Sequence, residues 1–406
     1  MIPSYRNKTE SGSIWAIIFI ILCSLDFFRP INADENILKI IYYITILACC
    51  IYGLFHAHKD REKTSSPMMF AGIYKLFFWE IALSIISAQI NQNQRMDITL
   101  ITSIRYFIFS FYFFLHFANY TTKKIEQAMN ILSAIFIICF IAAFIAYPIQ
   151  LFRGYGFSEE ITTDRGFQRI RLTIMGGAPI YFSFFYAVNK LKEGKNYKWG
   201  ISVVVIYIVI LLQLGRLSIL ATTFLGTLLF LDQIKFYKKI PILLVFIFLI
   251  TEYAGKIPIV GTLIQYTKDE REEQFENDNI RLLSFQFYTT EFNTNITSKI
   301  VGCGMYSLGN SDYGKAVDDA RNMGLIPADV GYAFIYMIWG IAGIMLYLAI
   351  LLKGLFTKLD KKNAYLKYYL IFLYMSSIAG NTLLGSIPFL CICCFMIDKL
   401  KIHGKN

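Results

Sequence analysis

Charged side chains are scarce in this chain. Asp, Glu, Lys and Arg make up 17% of its 406 residues, whereas hydrophobic residues make up 56%. A water-soluble domain of this length could not bury so much apolar surface. The composition therefore excludes an ordinary soluble globular protein and predicts an integral membrane protein.

Histidine is scarce as well, and no metal-binding or nucleotide-binding pattern is present. The 4 histidines all lie near the predicted cytoplasmic ends of apolar segments, so the outer face lacks a histidine base. Of the 8 cysteines, only Cys303 falls in a polar segment, and no spacing fits a disulfide framework or a zinc site. Neither a phosphate-binding loop nor a GxGxxG fingerprint occurs. We therefore expect no metal and no organic cofactor.

Long apolar runs dominate what the sequence does contain. A transmembrane helix needs about 20 mostly apolar residues, and about twelve runs approach that length. The chain therefore predicts an all-α polytopic membrane protein in which residues 1–406 form one multi-pass domain. The runs fall near residues 13–29, 37–55, 68–88, 98–118, 127–147, 172–190, 199–214, 217–233, 240–254, 328–352, 367–382 and 384–397.

Lysine-rich clusters recur in every second loop between these runs, for example at 59–63, 192–198 and 353–362. Cytoplasmic loops of membrane proteins carry an excess of Lys and Arg. Membrane topology, rather than a nucleic-acid partner, therefore accounts for the net charge of +11. The same pattern predicts that both termini are cytoplasmic.

Two predicted outer loops, residues 150–171 and 253–327, carry arginines suited to an anionic ligand. The planar guanidinium group favours two-point contacts with phosphate or carboxylate. The larger loop lies between the ninth and tenth runs and is predicted to contain short helices. Pairing with acidic neighbours on the loop surface is the alternative role. The arginines are Arg153, Arg165, Arg169 and Arg171 in the smaller loop and Arg271, Arg281 and Arg321 in the larger loop.

Three polar elements at predicted outer helix ends combine into a candidate site. Arg216 precedes the run 217–233, and Arg281 opens an amphipathic segment that leads to the glycine-rich residues 301–304. Asp329 opens the tenth run, which also contains Gly340 and Gly343.

Each element also has a simpler interpretation. Arg216 could extend its side chain to the membrane interface, and Arg281 could pair with a nearby acidic residue such as Glu276 or Asp278. Asp329 could cap a helix, and the glycines of the tenth run could allow close helix packing.

Together these elements resemble the O-antigen polymerase (Wzy-type) and O-antigen ligase superfamily of membrane glycosyltransferases. Arg216 and Leu220 fit the ligase pattern Arg-x3-Leu, and Arg281 takes the place of a second arginine early in the large periplasmic loop. Asp329 to Gly343 keeps the spacing of the pattern His-[Asn/Ser/Gln]-x9-Gly-x2-Gly, but aspartate replaces histidine. This departure favours a polymerase over a ligase. The paired arginine–glycine loop motifs of some polymerases are absent.

The resemblance implies an enzyme of the bacterial inner membrane with a periplasmic active site. It would transfer a growing glycan from undecaprenyl pyrophosphate to the non-reducing end of another lipid-linked O-antigen repeat unit. Arg216 and Arg281 would stabilise the departing pyrophosphate, and Asp329 would accept the proton of the acceptor hydroxyl. A chain-length regulator protein and membrane lipid are the other expected partners. The residues expected to contact the lipid-linked substrate are Arg165, Arg169, Arg171, Arg271 and Tyr332.

Two alternatives remain open. One is an O-antigen ligase, which transfers glycan to lipid A core. The other is a flippase for the same lipid-linked glycan, which should place charges along a central path and show repeat symmetry. Few charges lie within the runs, notably Asp26, Glu80 and Arg105, and no internal repeat is evident, which favours an enzyme.

Overall fold

The computed structural model describes residues 12–59, 68–146, 149, 151–153, 161–162, 169–170, 177–194, 196–213, 215–233 and 280–401. Of residues 54–59, 161–162, 169–170, 216 and 233 it describes the backbone alone. Helices dominate this part of the chain. Its strands, β1 (Ile161–Thr162) and β2 (Arg169–Ile170), form one short antiparallel pair. The predicted all-α class is therefore confirmed for these residues.

Nine helices occupy the described residues up to 233. They are α1 (Ile14–Ser24), α2 (Glu35–Lys59), α3 (Ala71–Gln92), α4 (Met96–Ser103), α5 (Ser110–Phe117), α6 (Thr122–Ile145), α7 (Ala178–Glu193), α8 (Tyr197–Leu212) and α9 (Arg216–Phe230). Short 3₁₀ turns follow α1 (Asp26–Phe28) and α9 (Leu231–Gln233). A 3₁₀ segment, Ile104–Phe109, joins α4 to α5, so residues 96–117 form one continuous helical segment.

Seven further helices occupy residues 280–401. They are α10 (Ile280–Gln286), α11 (Ile296–Val301), α12 (Asp312–Asn322), α13 (Gly331–Phe356), α14 (Tyr365–Ser376), α15 (Thr382–Gly385) and α16 (Ile387–Leu400). A π-helical turn, Phe287–Glu291, extends α10, and 3₁₀ turns lie at Pro327–Asp329 and Lys361–Asn363. The predicted large loop therefore contains short helices where the structure describes it.

Five helical segments in the described residues are long and apolar enough to cross a membrane. They are Glu35–Gly53, Ala71–Gln92, Met96–Phe117, Thr122–Ile145 and Gly331–Phe356. Three shorter apolar helices are Ile14–Ser24, Tyr197–Leu212 and Leu217–Phe230. Helices occupy most of each predicted run that the structure describes, although residues 377–381 of the run 367–382 are not helical and the run 240–254 lies outside the described residues. The total of about twelve spans stays a prediction.

Side-chain caps and prolines explain where several helices begin. The hydroxyl of Thr121 accepts a hydrogen bond from the Lys124 amide at 3.4 Å before α6. The hydroxyl of Ser311 accepts one from the Gly314 amide at 2.9 Å before α12. Proline stands in the first turn of α7 and of α16. These residue types satisfy or remove the free amides of a first helical turn.

An aromatic cluster joins α3, the 3₁₀ segment and α13. Trp339 is 1% exposed, and its ring centroid lies 4.8 Å from that of Tyr106 and 5.8 Å from that of Phe77. The same tryptophan lies 6.2 Å from Tyr347. Trp339 is thus a packing residue within this cluster. Elsewhere in the bundle, α16 forms the buried centre of the fold, since every residue from Ile387 to Asp398 is buried.

Candidate functional site

A break in α13 receives the glycine-rich segment of the predicted site. At Gly340 the backbone leaves the helical conformation, with φ at +55°. The carbonyls of Met337 and Ile338, just before the break, accept hydrogen bonds of 2.9 Å from the amides of Cys303 and Gly304. The segment therefore supplies hydrogen bonds to helix carbonyls next to the interruption.

Two glycines make this close approach possible. A Cβ added to Gly302 would lie 2.2 Å from the carbonyl oxygen of Ile338, and one added to Gly340 would lie 2.3 Å from that of Ile300. Both glycines have positive φ, which L side chains rarely adopt. Backbone packing therefore accounts for Gly340. A Cβ on Gly343 would meet the Trp339 side chain at 2.4 Å, so packing accounts for that glycine too.

Residues 295–307 form a hairpin that enters the bundle between α3 and α13. At its start, Asn295 donates to the Asn91 side chain at 3.0 Å. Its tip lies deeper, where the Ser87 hydroxyl donates to the Gly302 carbonyl at 2.5 Å. At its end, the Ser307 amide donates to the Gln94 side chain at 3.1 Å. The glycine-rich segment of the predicted outer loop is therefore the tip of the 295–307 hairpin.

Two buried tyrosines fix the polypeptide around the hairpin. Tyr313 donates to the carbonyl of Gly304 at 3.1 Å, and Tyr288 donates to that of Leu325 at 2.8 Å. Burial raises the pKa of both phenols, and the nearby Arg321 guanidinium partly opposes the rise at Tyr288. Both hydroxyls therefore remain protonated donors at neutral pH.

Two predicted catalytic residues, Arg281 and Asp329, lie on adjacent elements. α10, which carries Arg281, packs against the 3₁₀ turn that ends at Asp329. The start of α10 also contacts the chain before that turn, since a Cβ on Gly324 would lie 3.3 Å from Cδ1 of Ile280. Both residues are exposed. This arrangement presents a guanidinium and a carboxylate at the same end of the bundle.

Asp329 does not take the capping role that its position suggests. Val330 occupies the N-cap position of α13, and no side-chain capping bond occurs there. Among the described residues, no hydrogen bond reaches the Asp329 carboxylate, while its amide donates to the Ile326 carbonyl at 3.2 Å. The Asp329 carboxylate therefore does not cap α13.

Tyr332, predicted to contact substrate, joins two helices through its hydroxyl. The phenol donates to the carbonyl of Tyr374 in α14 at 2.9 Å, and its side chain is half-buried. Nearby, a Cβ on Gly331 would lie 2.1 Å from the Gly380 carbonyl oxygen. The first turn of α13 is thus packed tightly against the end of α14, and only part of the Tyr332 ring faces outward.

The backbone of Arg216, the third predicted catalytic residue, lies at the same end of the bundle. α9 begins there and packs against α7 and α14. A Cβ on Gly177 would lie 3.5 Å from Gln213, which places the start of α7 beside the turn that precedes Arg216. Tyr369 of α14 donates to the Ala178 carbonyl at 3.2 Å. This bond connects α7 to α14, the helix whose Tyr374 carbonyl accepts the hydrogen bond from Tyr332. The side chain of Arg216 lies outside the described residues.

The remaining predicted binding arginines are placed only in part. The backbone of Arg169 pairs with Thr162 in the short β-hairpin, and its side chain lies outside the described residues. Arg165, Arg171 and Arg271 lie outside them entirely. Their predicted contacts with substrate therefore stay predictions.

Arg153 of the smaller loop serves as an internal clamp. Its guanidinium donates to the Glu35 carboxylate at 2.7 Å and to the carbonyls of Ile31 and Ala33 at 2.9 and 3.0 Å. These bonds hold the α1–α2 connection against the chain that follows α6. The hydrogen bonds of Arg153 therefore give it a structural role in the fold.

Sequence reasoning missed a polar cleft between the α3–α4 turn and the start of α12. Its volume is about 340 Å³, near the lower end of the range for small-molecule sites. The polar residues between the runs 68–88 and 98–118 were the available signal. α12 extends about 16 Å from this cleft towards the turn that carries Asp329. The cleft is lined by Asn93, Arg95, Ile98, Gly309, Asn310, Ser311, Asp312 and Lys315.

A buried polar cluster lies at the opposite end of the bundle. Tyr112 donates a short hydrogen bond to Asp398, whose carboxylate also accepts from the Met69 amide at 3.3 Å. Nε2 of His116 lies 3.3 Å from the same carboxylate. These contacts join α5 and α16 to the chain just before α3, so His116, near a predicted cytoplasmic end, has a structural partner.

The described residues contain no group of three or more His, Cys, Asp or Glu side chains that could hold a metal ion. The predicted catalytic groups that they place at one end of the bundle are the Arg281 guanidinium and the Asp329 carboxylate, with the backbone of Arg216 at the same end. No protein-family model, curated protein or solved structure matches this chain.

Proposed function

We propose that the protein is an O-antigen polymerase of the bacterial inner membrane. In this proposal about twelve helices span the membrane, both termini are cytoplasmic, and the end that carries Asp329 faces the periplasm. The donor is a glycan on undecaprenyl pyrophosphate, and the acceptor is the non-reducing end of a second lipid-linked repeat unit. The observation that carries the proposal is the packing of the Arg281 helix against the turn of Asp329.

The two side chains have complementary roles in glycan transfer. Asp329 takes the proton of the acceptor hydroxyl while the oxygen of that hydroxyl attacks the anomeric carbon of the donor. A new carbon–oxygen bond forms as the bond between that carbon and the pyrophosphate oxygen breaks. The electron pair leaves with the pyrophosphate, whose growing charge Arg281 and Arg216 stabilise. Arginine suits this role because its fork donates two parallel hydrogen bonds to phosphate oxygens.

The remaining predicted groups bind the rest of the substrate. Arg165, Arg169, Arg171 and Arg271 contact the lipid-linked pyrophosphate, and the exposed part of the Tyr332 ring faces a sugar. The polar cleft at the start of α12 offers amide, hydroxyl and charged groups to the glycan hydroxyls. A chain-length regulator would act from outside this site.

A deletion strain tests the proposal through its surface lipopolysaccharide. Loss of a polymerase leaves single repeat units on lipid A core, and the intact gene should restore a ladder of longer chains on a gel. Polymer that accumulates on the undecaprenyl carrier would instead identify a ligase. Repeat units trapped on the cytoplasmic face would identify a flippase. An unchanged ladder in the deletion strain would reject all three functions.

A further inference from the structure

We propose that the exposed apolar side chains of residues 280–304, although part of the predicted periplasmic loop, lie in the outer leaflet of the membrane in contact with lipid acyl chains, while the exposed polar side chains of the same segment, Arg281 among them, reach the headgroup region. The proposal depends on α3 and α13 crossing the membrane and not on the enzymatic reaction. It assigns a lipid surface to two short helices, α10 and α11, which a sequence-based topology would place in water.

The first support is the reversed burial of α10. Its serine, Ser284, is 2% exposed, whereas Leu282 is 64% and Phe285 is 45% exposed. In water, a helix that covers a folded domain turns its apolar residues inward. Exposure of about 100 Å² of apolar side chain to water costs about 2.5 kcal/mol. The reversed pattern is expected where hydrocarbon, and not water, surrounds the outer face.

The second support is the same reversal in α11. Ser298 is 1% exposed, whereas Ile296 is 75% and Ile300 is 48% exposed. Ile296 and Ile300 are one helical turn apart and share a face. Lys299 is also exposed, but its long side chain can carry its ammonium group to the headgroup region. Two separate helices thus each turn a serine inward and expose large apolar side chains, beside exposed polar residues such as Arg281 and Thr297.

The third support is depth. The tip of the 295–307 hairpin bonds to Ser87, and a Cβ on Gly304 would lie 3.1 Å from the Ser84 carbonyl oxygen. Ser84 precedes the end of α3 at Gln92 by about 12 Å of helical rise. On the other side, Ile338 follows the start of α13 by about 10 Å. Where the outer ends of α3 and α13 mark the boundary of the hydrocarbon core, half of which is about 15 Å thick, the tip lies inside the outer leaflet.

The fourth support is the internal satisfaction of the hydroxyl groups in this segment. The hydroxyls of Ser284, Thr289 and Thr290 each donate to a carbonyl four residues earlier at 2.7 Å. The hydroxyl of Ser298 donates to the Asn295 carbonyl at 2.8 Å. Polar groups in hydrocarbon must find partners within the protein because water is absent.

Lipid, rather than another protein, is the occupant that the surroundings favour. α3 exposes Ile86 and Ile90, which are 45% and 68% exposed, close to where α11 packs. α13 exposes Ile341 and Met345 just beyond the hairpin tip. The apolar face of α11 is therefore continuous with the outer faces of two helices that are long enough to span a membrane.

Single cysteines introduced at Leu282, Ile296 and Ile300 test the proposal. The full-length variants are reconstituted in vesicles of phosphatidylethanolamine and phosphatidylglycerol. They are then labelled with a thiol-reactive nitrobenzoxadiazole (NBD) fluorophore. Asp318→Cys and Asp319→Cys, on the exposed face of α12, are the matched aqueous controls, and the unmodified chain gives the background from native thiols.

Lipids with a nitroxide on the acyl chain should quench the probes at positions 282, 296 and 300 but not those at 318 and 319. A membrane-impermeant maleimide should react with Ile296→Cys and Ile300→Cys about tenfold more slowly than with Asp318→Cys, a factor equal to about 1.4 kcal/mol. Equal labelling rates without lipid quenching would overturn the proposal in favour of an aqueous domain. Slow labelling without quenching would overturn it in favour of a protein partner.

The outcome is independent of catalysis. Lipid quenching in a chain that fails to restore polymer would leave the membrane contact intact and reject the enzymatic proposal. Polymer formation by a chain with water-exposed probes would support the enzymatic proposal and reject the membrane contact.

Discussion

The amide nitrogen of Gly302 lies 2.7 Å from the point that a Cβ on Gly340 would occupy. The hairpin and the broken helix are therefore in backbone contact, with no room for a side chain between them. This contact sets the position of the outer half of α13, and it can be tested by substitution.

Gly302→Ala and Gly340→Ala should each destabilise the protein. The added methyl group meets backbone atoms that cannot move aside, and overpacking of this kind costs about 1–3 kcal/mol. Thermal unfolding of the purified protein in detergent measures the loss. Gly72→Ala is the matched control, because no heavy atom lies within 4 Å of a Cβ there. Equal melting temperatures for all three variants would contradict the proposed contact.

Arg281→Ala and Arg216→Ala should abolish long polymer while the protein remains in the membrane. Loss of one hydrogen bond from a charged group corresponds to about 1.5–3 kcal/mol, or roughly a 10- to 100-fold lower rate. Arg281→Lys should restore only part of the activity, since lysine keeps the charge but loses the two-point geometry. Gel analysis with quantified membrane protein measures both effects. As the control, Lys299→Ala removes an exposed cation of the same loop and should leave the ladder unchanged. Normal ladders in the arginine variants would contradict the catalytic roles proposed for Arg281 and Arg216.

Asp329→Asn should stop polymerisation without unfolding the protein. The amide cannot accept the acceptor proton, yet it keeps the size of the carboxylate. Asp329→Glu, which retains the base, should recover measurable polymer. Asp318→Asn, at an exposed position of α12, is the control for a simple loss of surface charge. Unchanged polymer length in Asp329→Asn would leave this carboxylate without a catalytic role.

Tyr332→Phe separates the two roles of that tyrosine. Loss of its hydrogen bond to the Tyr374 carbonyl should lower stability by about 1 kcal/mol, while the ring remains available for a sugar. Polymer should therefore persist in Tyr332→Phe and be lost in Tyr332→Ala. Denaturation midpoints and gel ladders measure the two effects separately. Full activity of Tyr332→Ala at normal protein level would exclude the ring from substrate binding.

Asp398→Ala should destabilise the inner end of the bundle. The substitution leaves the buried Tyr112 hydroxyl and the Met69 amide without their acceptor, at about 1–3 kcal/mol for each unsatisfied group. Unfolding in detergent and the amount of protein in the membrane report the loss. Asp360→Ala removes an exposed carboxylate near Lys362 and should have little effect. A normal melting temperature for Asp398→Ala would show that the cluster contributes little to stability.

The helices of the described residues could be predicted from the sequence because their apolar runs are long and continuous. Residues 71–92 and 331–356 form helices where such runs occur. The break in α13 could not be predicted, because an isolated glycine in an apolar run is also compatible with an unbroken transmembrane helix. What fixes the break is contact with Gly302, which belongs to a different part of the chain.

The candidate site shows the same division. The order of Arg281, residues 301–304 and Asp329 could be read from the sequence, and the structure packs the Arg281 helix against the turn that ends at Asp329, while residues 301–304 contact α13 about 10 Å further along that helix. The polar cleft and the Tyr112–Asp398 contact could not be read in this way. The latter pair is separated by 286 positions, and no local pattern specifies such a long-range contact. Arg153 resembled the other loop arginines in sequence, and only its four hydrogen bonds to Glu35, Ile31 and Ala33 distinguish it.

The interruption at Gly340 gives the outer end of α13 a second anchor. Its carbonyls at Met337 and Ile338 are bonded to the hairpin, so residues 331–338 are tied to the polypeptide that enters from outside as well as to their own helix. A shift of the hairpin would therefore tilt this outer piece and carry Asp329 with it. In the proposed reaction, lipid packing around α11 would thereby influence the angle at which the carboxylate meets an incoming sugar.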